Sequence, residues 1–355
     1  MIRGVQKPCT PLNLLYDFSK GFGNVLMAKF IVRRLGLSLI ILFFVTFMVY
    51  LLEYSLPTSY VEKTALELSQ RPGSQKSAQQ WIDELNAQYG MDKGVVIGYA
   101  TWLSNSLMGN FGDSWSQTMP VTELFRKCIW YSFFMGLICF FLEIIISIPL
   151  GVLAARKQYS MTDYTVTVIS LIGISMPTFF MATVFKLIFS VKLGWFELIG
   201  MQGRNYTTLS SFGQFMDLAN HLVLPIMTLT VVSIGSLMRF TRTNMLEVLN
   251  ADYVRTARAK GLPEKKVISH HAFRNTMIPL VTMLGGSLPG LFGGALITET
   301  LFGIRGIGYY SYHAMTQGDI PFTMFYLAFS AVLILVGNLI SDILYAVVDP
   351  RVRVN

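Results

Sequence analysis

The sequence predicts an all-α membrane protein that crosses the bilayer about six times. Of its 355 residues, 53% are hydrophobic and only 14% are charged, whereas a soluble domain is about 25% charged. A membrane-spanning helix needs about 20 mostly apolar residues. Six segments satisfy this requirement, within a few residues at each end: 37–56, 129–153, 164–190, 221–238, 277–297 and 322–347.

Lysines and arginines are distributed unevenly between these segments. If both termini lie inside, most of the 28 basic residues fall in inner segments, as the excess of Lys and Arg in cytoplasmic loops requires. Both termini are therefore predicted to be cytoplasmic, and the net charge of +8 reflects topology rather than nucleic-acid binding. Residues 57–127 become a long extracytoplasmic loop. Within it, 94–103 is too short to span, is followed by Ser-Asn-Ser, and is expected to pack against the outer surface.

Residues 1–30 are predicted to form a cytoplasmic extension that precedes the membrane domain 31–355. They lack an uninterrupted apolar core followed by a small-residue cleavage site, so they do not indicate a secretory signal. Leu14, Phe18 and Phe22 recur at helical spacing, which favours a short amphipathic helix on the membrane interface. A disordered tail is an equal alternative.

Motifs for catalysis and cofactor binding are absent from the sequence. No GxxxxGK[ST] occurs, so the chain has no P-loop for a nucleotide, and neither GxSxG nor HExxH is present. Cys9, Cys128 and Cys139 show no CxxC spacing and support neither a disulfide framework nor a zinc site. No enzymatic activity, cofactor or metal is therefore predicted.

The most informative segment is the basic loop 239–276, between the fourth and fifth spans. A loop of this length is expected to have a structure or function of its own. Helix-forming residues run through 244–260, and Asn250 or Asp252 could cap the helix at its N-terminus. Gly261 can end the helix because glycine readily adopts a positive φ.

The rest of this loop predicts a second helix and a partner surface. Pro263 and Glu264 suit the first turn of a helix, which gives a helix–turn–helix. Ala257 and Ala259 are small enough for close approach by a partner, and Arg255, Arg258 and Lys260 could pair with its acids. A solvated loop that only enforces topology is an equal alternative. A DNA-binding helix–turn–helix is disfavoured, because membrane spans tether both ends.

ADYVRTARAKGLPEKKVISHHAFRNTMIP (251–279) resembles the cytoplasmic signature loop of ABC-importer permeases, in particular the dipeptide, oligopeptide and nickel permease family. The resemblance covers most of 31–355, through GNFGDS, IPLGVLAA, HLVLPIMTLT, ITETLFGIRGIG and DPRVR. It fails at LPTSY (56–60), where such permeases tend to have an acidic LPGDP-like sequence. The matching loop positions are Asp252, Tyr253, Arg255, Thr256, Ala257, Ala259, Lys260, Gly261, Arg274, Asn275, Ile278 and Pro279.

The resemblance implies the architecture of a type I ABC importer, in which the chain pairs with a second, similar permease. Two cytoplasmic ATPases would supply energy, and an extracytoplasmic solute-binding protein would deliver peptides. Nickel or another small solute, and an ion-coupled secondary transporter, are the alternatives. The resemblance also implies that 251–261 is a coupling helix that inserts into an ATPase. Its residues would be Asp252, Tyr253, Arg255, Thr256, Ala257, Arg258, Ala259, Lys260 and Gly261.

Two features inside the membrane are candidates for the interface between permeases or for the transport pathway. Gly286, Gly290 and Gly294 repeat at i, i+4 and i+8 in span five, and such small-residue faces let helices approach closely. Pro289 lies between them and could kink the helix. Glu143 is midway along span two, where an isolated carboxylate is energetically costly.

Two further residues are assigned to span three. Pro177 is expected to kink the helix, since proline removes a backbone hydrogen bond. Lys186 lies near the outer end, where its long side chain is expected to reach the interface.

Overall fold

The computed structural model describes residues 24–55, 60–70, 76–89 and 94–348. In this part of the chain, four helices are long and apolar enough to cross a bilayer, and two bent helix pairs could each provide one more span. The prediction of an all-α protein with about six spans is confirmed.

In chain order the helices are α1 (Asn24–Ser55), α2 (Tyr60–Ser69), α3 (Ala78–Tyr89), α4 (Val95–Leu107), α5 (Val121–Arg156), α6 (Met161–Ser175), α7 (Thr178–Phe185), α8 (Ser211–Leu249), α9 (Asp252–Ala259), α10 (Glu264–Lys266), α11 (Phe273–Ser287), α12 (Leu296–Phe302), α13 (Ile307–Gln317) and α14 (Ile320–Val348). A π-helical turn extends α7 over Lys186–Lys192, and another joins α10 to α11 over Val267–Ala272. Shorter pieces are a 3₁₀ turn at Tyr206–Thr208, another at Leu288–Phe292, and an antiparallel pair of two-residue strands, β1 (Asp113–Ser114) and β2 (Met119–Pro120).

The first span begins earlier than the sequence predicted. α1 starts at Asn24, so residues 24–30, assigned above to the N-terminal extension, are continuous with the span. The amphipathic pattern of Leu14, Phe18 and Phe22 lies outside the described residues. α1 packs against the last helix, where Arg34 and Asp342 form an ion pair with an N–O distance of 3.0 Å.

The third span is broken at Pro177, which confirms the predicted kink and enlarges it. α6 ends at Ser175, and the helix that resumes at Thr178 is turned by 104°. Met176 is extended, with φ −87° and ψ 123°, because the ring of a following proline disfavours helical backbone. Residues 164–190 therefore form two helical pieces that meet at a sharp angle.

The segment 94–103 also differs from its prediction. α4 continues to Leu107, so Ser-Asn-Ser does not interrupt it. α4 packs along α1, where the buried Tyr99 hydroxyl lies 2.9 Å from Thr46 Oγ1 and donates to the Phe43 carbonyl at 3.1 Å.

Close backbone contact holds the centre of the fold together. α8 crosses α6 where Gly235 meets Gly173, and a Cβ added at Gly235 would lie 2.5 Å from the Ser170 carbonyl oxygen. On its other side α8 meets α5, where Ser147 Oγ donates to the Ile234 carbonyl at 3.1 Å. Since packing rather than hydrophobic exclusion drives helix association in lipid, the absence of a side chain at Gly235 permits this crossing.

We expect Gly235→Val to destabilise the protein by about 1–3 kcal/mol, because the new side chain must push α6 away from α8. Thermal unfolding of the purified protein in detergent should show a lowered Tm. Gly36→Val is the matched control, since Gly36 is in α1 and a Cβ added there would have nothing within 4 Å. Equal melting temperatures for the two variants would contradict the crossing described here.

Candidate functional site

The α9 segment (residues 251–261) is a short helix held between two turns. Ala251 is its N-cap, with extended backbone and no side-chain cap. Neither predicted cap fills this role: Asn250 ends α8, and Asp252 is already in the first turn of α9. The predicted stop at Gly261 is confirmed, because its φ of 74° lies in the left-handed region.

One face of α9 is buried against neighbouring helices. Val254 is 0% and Ala257 is 5% exposed, and both pack against Met245 at the end of α8. The prediction that Ala257 faces a partner is therefore wrong, because it lies in this chain's own core, whereas Ala259 is exposed. The other members of this cluster are Ala155, Val267, Ile268 and Ala272.

Arg258 is engaged within the chain rather than free for a partner. Its Nη2 donates to Glu264 Oε1 at 2.9 Å and its Nε to Glu264 Oε2 at 3.2 Å, and a long hydrogen bond of 3.5 Å reaches the Leu249 carbonyl. Hydrogen bonding to Glu264 raises the pKa of the Arg258 guanidinium. Arg258 therefore braces the turn between α9 and α10.

The opposite face of α9 is exposed and mixed in charge. The Asp252 side chain is 99% and that of Arg255 is 69% exposed, with an N–O distance of 3.7 Å between them. An exposed pair of this kind contributes little stability, so both groups can exchange it for a partner. The exposed residues of the segment are Asp252, Tyr253, Arg255, Thr256, Arg258, Ala259, Lys260 and Gly261.

A buried ion pair joins α6 and α8 about two turns before the end of α8. Arg242 donates to both carboxylate oxygens of Asp163, through Nε at 2.5 Å and Nη2 at 2.8 Å. Tyr159 N also donates to Asp163, at 3.0 Å, and the Asp163 side chain is only 3% exposed. Sequence reasoning missed this pair, because its members are far apart in the chain and no motif connects them.

The sequence predicted that the glycines of span five lie on one helix face. This prediction is wrong. α11 ends at Ser287, and Pro289 lies in the 3₁₀ turn that follows. Gly286 packs against α14, Gly290 has nothing within 4 Å, and Gly294 has φ +75° at the break before α12. The change from α-helical to 3₁₀ geometry at Leu288–Phe292 disrupts the i, i+4, i+8 register.

Glu143 is half-buried in α5, beside α8. Ser233 of α8, whose hydroxyl donates to the Thr230 carbonyl at 3.1 Å, lies close to it. Lys186, predicted to reach the membrane interface, donates to the Leu301 carbonyl at 2.7 Å. That contact satisfies a carbonyl at the C-terminal end of α12, which has no partner within the helix.

Glu299 on α12 is a buried carboxylate that sequence reasoning did not single out. It is 0% exposed and accepts hydrogen bonds from Ser132 Oγ at 2.7 Å, Ala295 N at 2.9 Å and Tyr309 N at 3.0 Å. Ser132 Oγ in turn accepts from Ile307 N at 2.8 Å. An acid beside the glycine-rich GIRGIG turn was the available signal, since such turns bring backbone N–H groups together.

Asp319 anchors the start of α14 in the same way. It is 0% exposed and accepts from Ser114 Oγ at 2.5 Å, Ser116 Oγ at 2.8 Å and Phe322 N at 3.3 Å. It thereby ties the GNFGDS segment to the last span. Among the described residues, no group of three or more His, Cys, Asp or Glu side chains could hold a metal ion.

Two family descriptions match the chain. "Binding-protein-dependent transport system inner membrane component" matches residues 147–354, and its N-terminal counterpart matches 27–145. The oligopeptide transport system permease protein AppB of Bacillus subtilis is 37% identical over 329 residues, or 92% of this chain and 100% of that protein. The dipeptide transport system permease protein DppB of Escherichia coli K12 is 34% identical over 346 residues, or 92% and 99%.

A solved structure is also similar. The inward-facing methionine ABC transporter MetNI aligns with a TM-score of 0.48 and 18% identity, over 64% of this chain and 97% of that chain. The family matches together extend over nearly all of the chain from residue 27 onward. The chain belongs to the family of inner-membrane permease components of binding-protein-dependent ABC transport systems.

Proposed function

We propose that this permease imports peptides together with a second, similar permease, two cytoplasmic ATPases and an extracytoplasmic solute-binding protein. The names of the relatives, which are oligopeptide and dipeptide permeases, favour peptides over nickel or another small solute. Membership of a binding-protein-dependent family argues against an ion-coupled secondary transporter. In this arrangement the ATP is hydrolysed by the partner subunits.

The α9 segment is the proposed contact with an ATPase. The observation that supports this proposal is that one face of the helix is buried in this chain while the opposite face is exposed. Val254 and Ala257 fix the helix to the end of α8 and to the π-helical turn that precedes α11, while Tyr253, Arg255 and Lys260 face outward. Because α9 is clamped rather than mobile, displacement of a bound ATPase would be passed to two spans as a rigid-body motion.

The membrane orientation follows from the same proposal. α9 and Arg156 lie at one end of the bundle, since Arg156 is close enough to Glu264 to act on it electrostatically. The concentration of Lys and Arg at this end favours the cytoplasmic side. Both termini would then be cytoplasmic, 31–355 would form the permease domain, and 57–127 would lie outside.

The remaining membrane candidates keep proposed roles that fit their positions. Gly290 is open and could meet the second permease, whereas Gly286 and Gly294 are used within the chain. Glu143 is half-buried and could line the pathway. Pro289 would contribute by ending the α-helix there.

Arg255→Glu is expected to lower peptide uptake at least about tenfold, because a like-charge contact at an interface costs more than about 1.4 kcal/mol. Arg255 is exposed, so the variant should insert and fold normally. The measurements are uptake in proteoliposomes, ATPase activity, and co-purification of the ATPase in mild detergent.

The control is Lys157→Glu, the same charge reversal in the exposed connection after α5. If the double variant Tyr253→Ala/Arg255→Glu still took up peptide normally, α9 would not be the contact with the ATPase. If the wild-type protein retained no ATPase in mild detergent, the proposed importer itself would be wrong.

A further inference from the structure

A pocket of about 720 Å³ lies between α5, the loop before α8, and the turn from α12 to α13. This volume is in the range of small-molecule sites, about 300–1,000 Å³. The lining residues that can recognise a ligand are Lys127, Tyr131, Gln202, Arg305, Tyr309 and Tyr310. We call this the Arg305 pocket.

Arg305 supplies an available positive charge to this pocket. Its side chain is exposed, and its guanidinium makes no hydrogen bond or ion pair with any residue that the structure describes; its backbone N–H donates to Met201 Sδ at 3.2 Å. Lys127, in contrast, is paired with Glu123 at 2.7 Å. A guanidinium without a partner is suited to bind a carboxylate through two parallel hydrogen bonds.

The tyrosines place aromatic surface and hydroxyl groups beside this charge. Tyr309 and Tyr310 pack edge to face with their ring centroids 5.4 Å apart. Arg305, Lys127 and Tyr310 line the same pocket. Burial raises the pKa of Tyr310, and the positive charges of Arg305 and Lys127 act against that rise. Gln202 adds an amide that can pair with a peptide group.

The pocket lies at the end of the bundle opposite the α9 segment. Lys127 and Arg156 are near the two ends of α5, and a rise of 1.5 Å per residue separates them by about 43 Å. If α9 contacts an ATPase, the Arg305 pocket therefore opens on the side from which substrate arrives.

We propose that the Arg305 pocket binds the C-terminal carboxylate of an arriving peptide, an inference that rests on the peptide-import function proposed above. The guanidinium of Arg305 holds the carboxylate, Gln202 pairs with the last peptide group, and the tyrosines contact the terminal side chain. A concave pocket of this volume suits the end of a peptide. It is less suited to a docked protein, whose contact surface is broad and flat.

The test compares one labelled tripeptide as the free acid and as the C-terminal amide. Uptake is measured with the complete complex of permeases, ATPases and binding protein in proteoliposomes. The ratio of acid to amide uptake is compared between wild type and Arg305→Ala. The binding protein is the same in the wild-type and Arg305→Ala complexes, so its own preference for acid or amide cancels in this comparison.

Arg305→Ala is expected to lower this ratio about tenfold, the effect of losing about 1.4 kcal/mol of charge-assisted hydrogen bonding. Arg305→Lys should recover part of the ratio, because lysine keeps the positive charge but cannot donate two parallel hydrogen bonds to the carboxylate. The control Arg204→Ala removes an exposed arginine from the neighbouring loop and should leave the ratio unchanged.

Three results would overturn the proposal in distinguishable ways. An unchanged ratio in Arg305→Ala would show that the pocket does not read the carboxylate. An equal loss for acid and amide, with weaker stimulation of ATPase activity by the binding protein, would assign Arg305 to protein docking. Failure of the wild-type complex to take up either form would remove the peptide-import function and this inference together.

Discussion

Glu299→Ala is expected to destabilise the permease more than removal of any exposed acid. The carboxylate accepts from Ser132 Oγ, Ala295 N and Tyr309 N in a fully buried setting. Each buried donor left without an acceptor costs about 1–3 kcal/mol. The loss should appear as a markedly lower Tm in detergent and as new protease cleavage in the turn that contains GIRGIG.

Two comparisons make the Glu299 prediction specific. Glu197→Ala removes an exposed acid from a nearby loop and should leave Tm unchanged. Glu299→Gln keeps one acceptor oxygen but directs an NH₂ group at backbone donors, so it should fall between wild type and alanine. Equal stability of Glu299→Ala and Glu197→Ala would show that the carboxylate does not hold the turn.

Asp163→Ala is expected to cost about 3–5 kcal/mol, because it leaves Arg242 partly buried without its carboxylate. The Arg242 side chain is 25% exposed, so water relieves part of this penalty, and the lower end of that range applies. The double variant Asp163→Ala/Arg242→Ala should be more stable than Asp163→Ala alone, because neither charge is then left unpaired. Tm shifts of the four proteins of this cycle, converted to free energies with the entropy of unfolding, give the coupling energy.

The control for this cycle is Arg239→Ala, which removes an exposed arginine one turn earlier in α8. It should leave Tm close to the wild-type value. If the double variant were as unstable as the sum of the two single variants, the pair would not be coupled, and another contact would have to join α6 to α8.

The sequence predicted what depends on local composition. Apolar length identified the spans, and Gly261 was recognised as a helix end because glycine adopts a positive φ without steric cost. The burial of Ala257 could also have been predicted, since Val254 and Ala257 are three residues apart, on one helix face, and their neighbours are polar. The small size of Ala257 and Ala259 predicted a partner surface instead, because size alone does not distinguish a residue that faces a partner from one in this chain's own core.

Other features depend on contacts between distant parts of the chain. Ser132 and Glu299, or Asp163 and Arg242, meet only because the spans pack side by side. The end of α11 at Ser287 could not be predicted for a different reason. The residues from there to Gly294 are as apolar as those of a membrane-spanning helix, so hydropathy does not indicate the change of backbone geometry.

The contact between α1 and α14 has a consequence for biosynthesis. Arg34 and Asp342, which join these helices, are separated by about 300 residues, and a ribosome adds roughly 5–20 residues per second. α1 therefore waits on the order of 15–60 s for α14, with its apolar surface against lipid. A chain that stalls before α14 would leave this early helix without its final neighbour, as a substrate for membrane quality control.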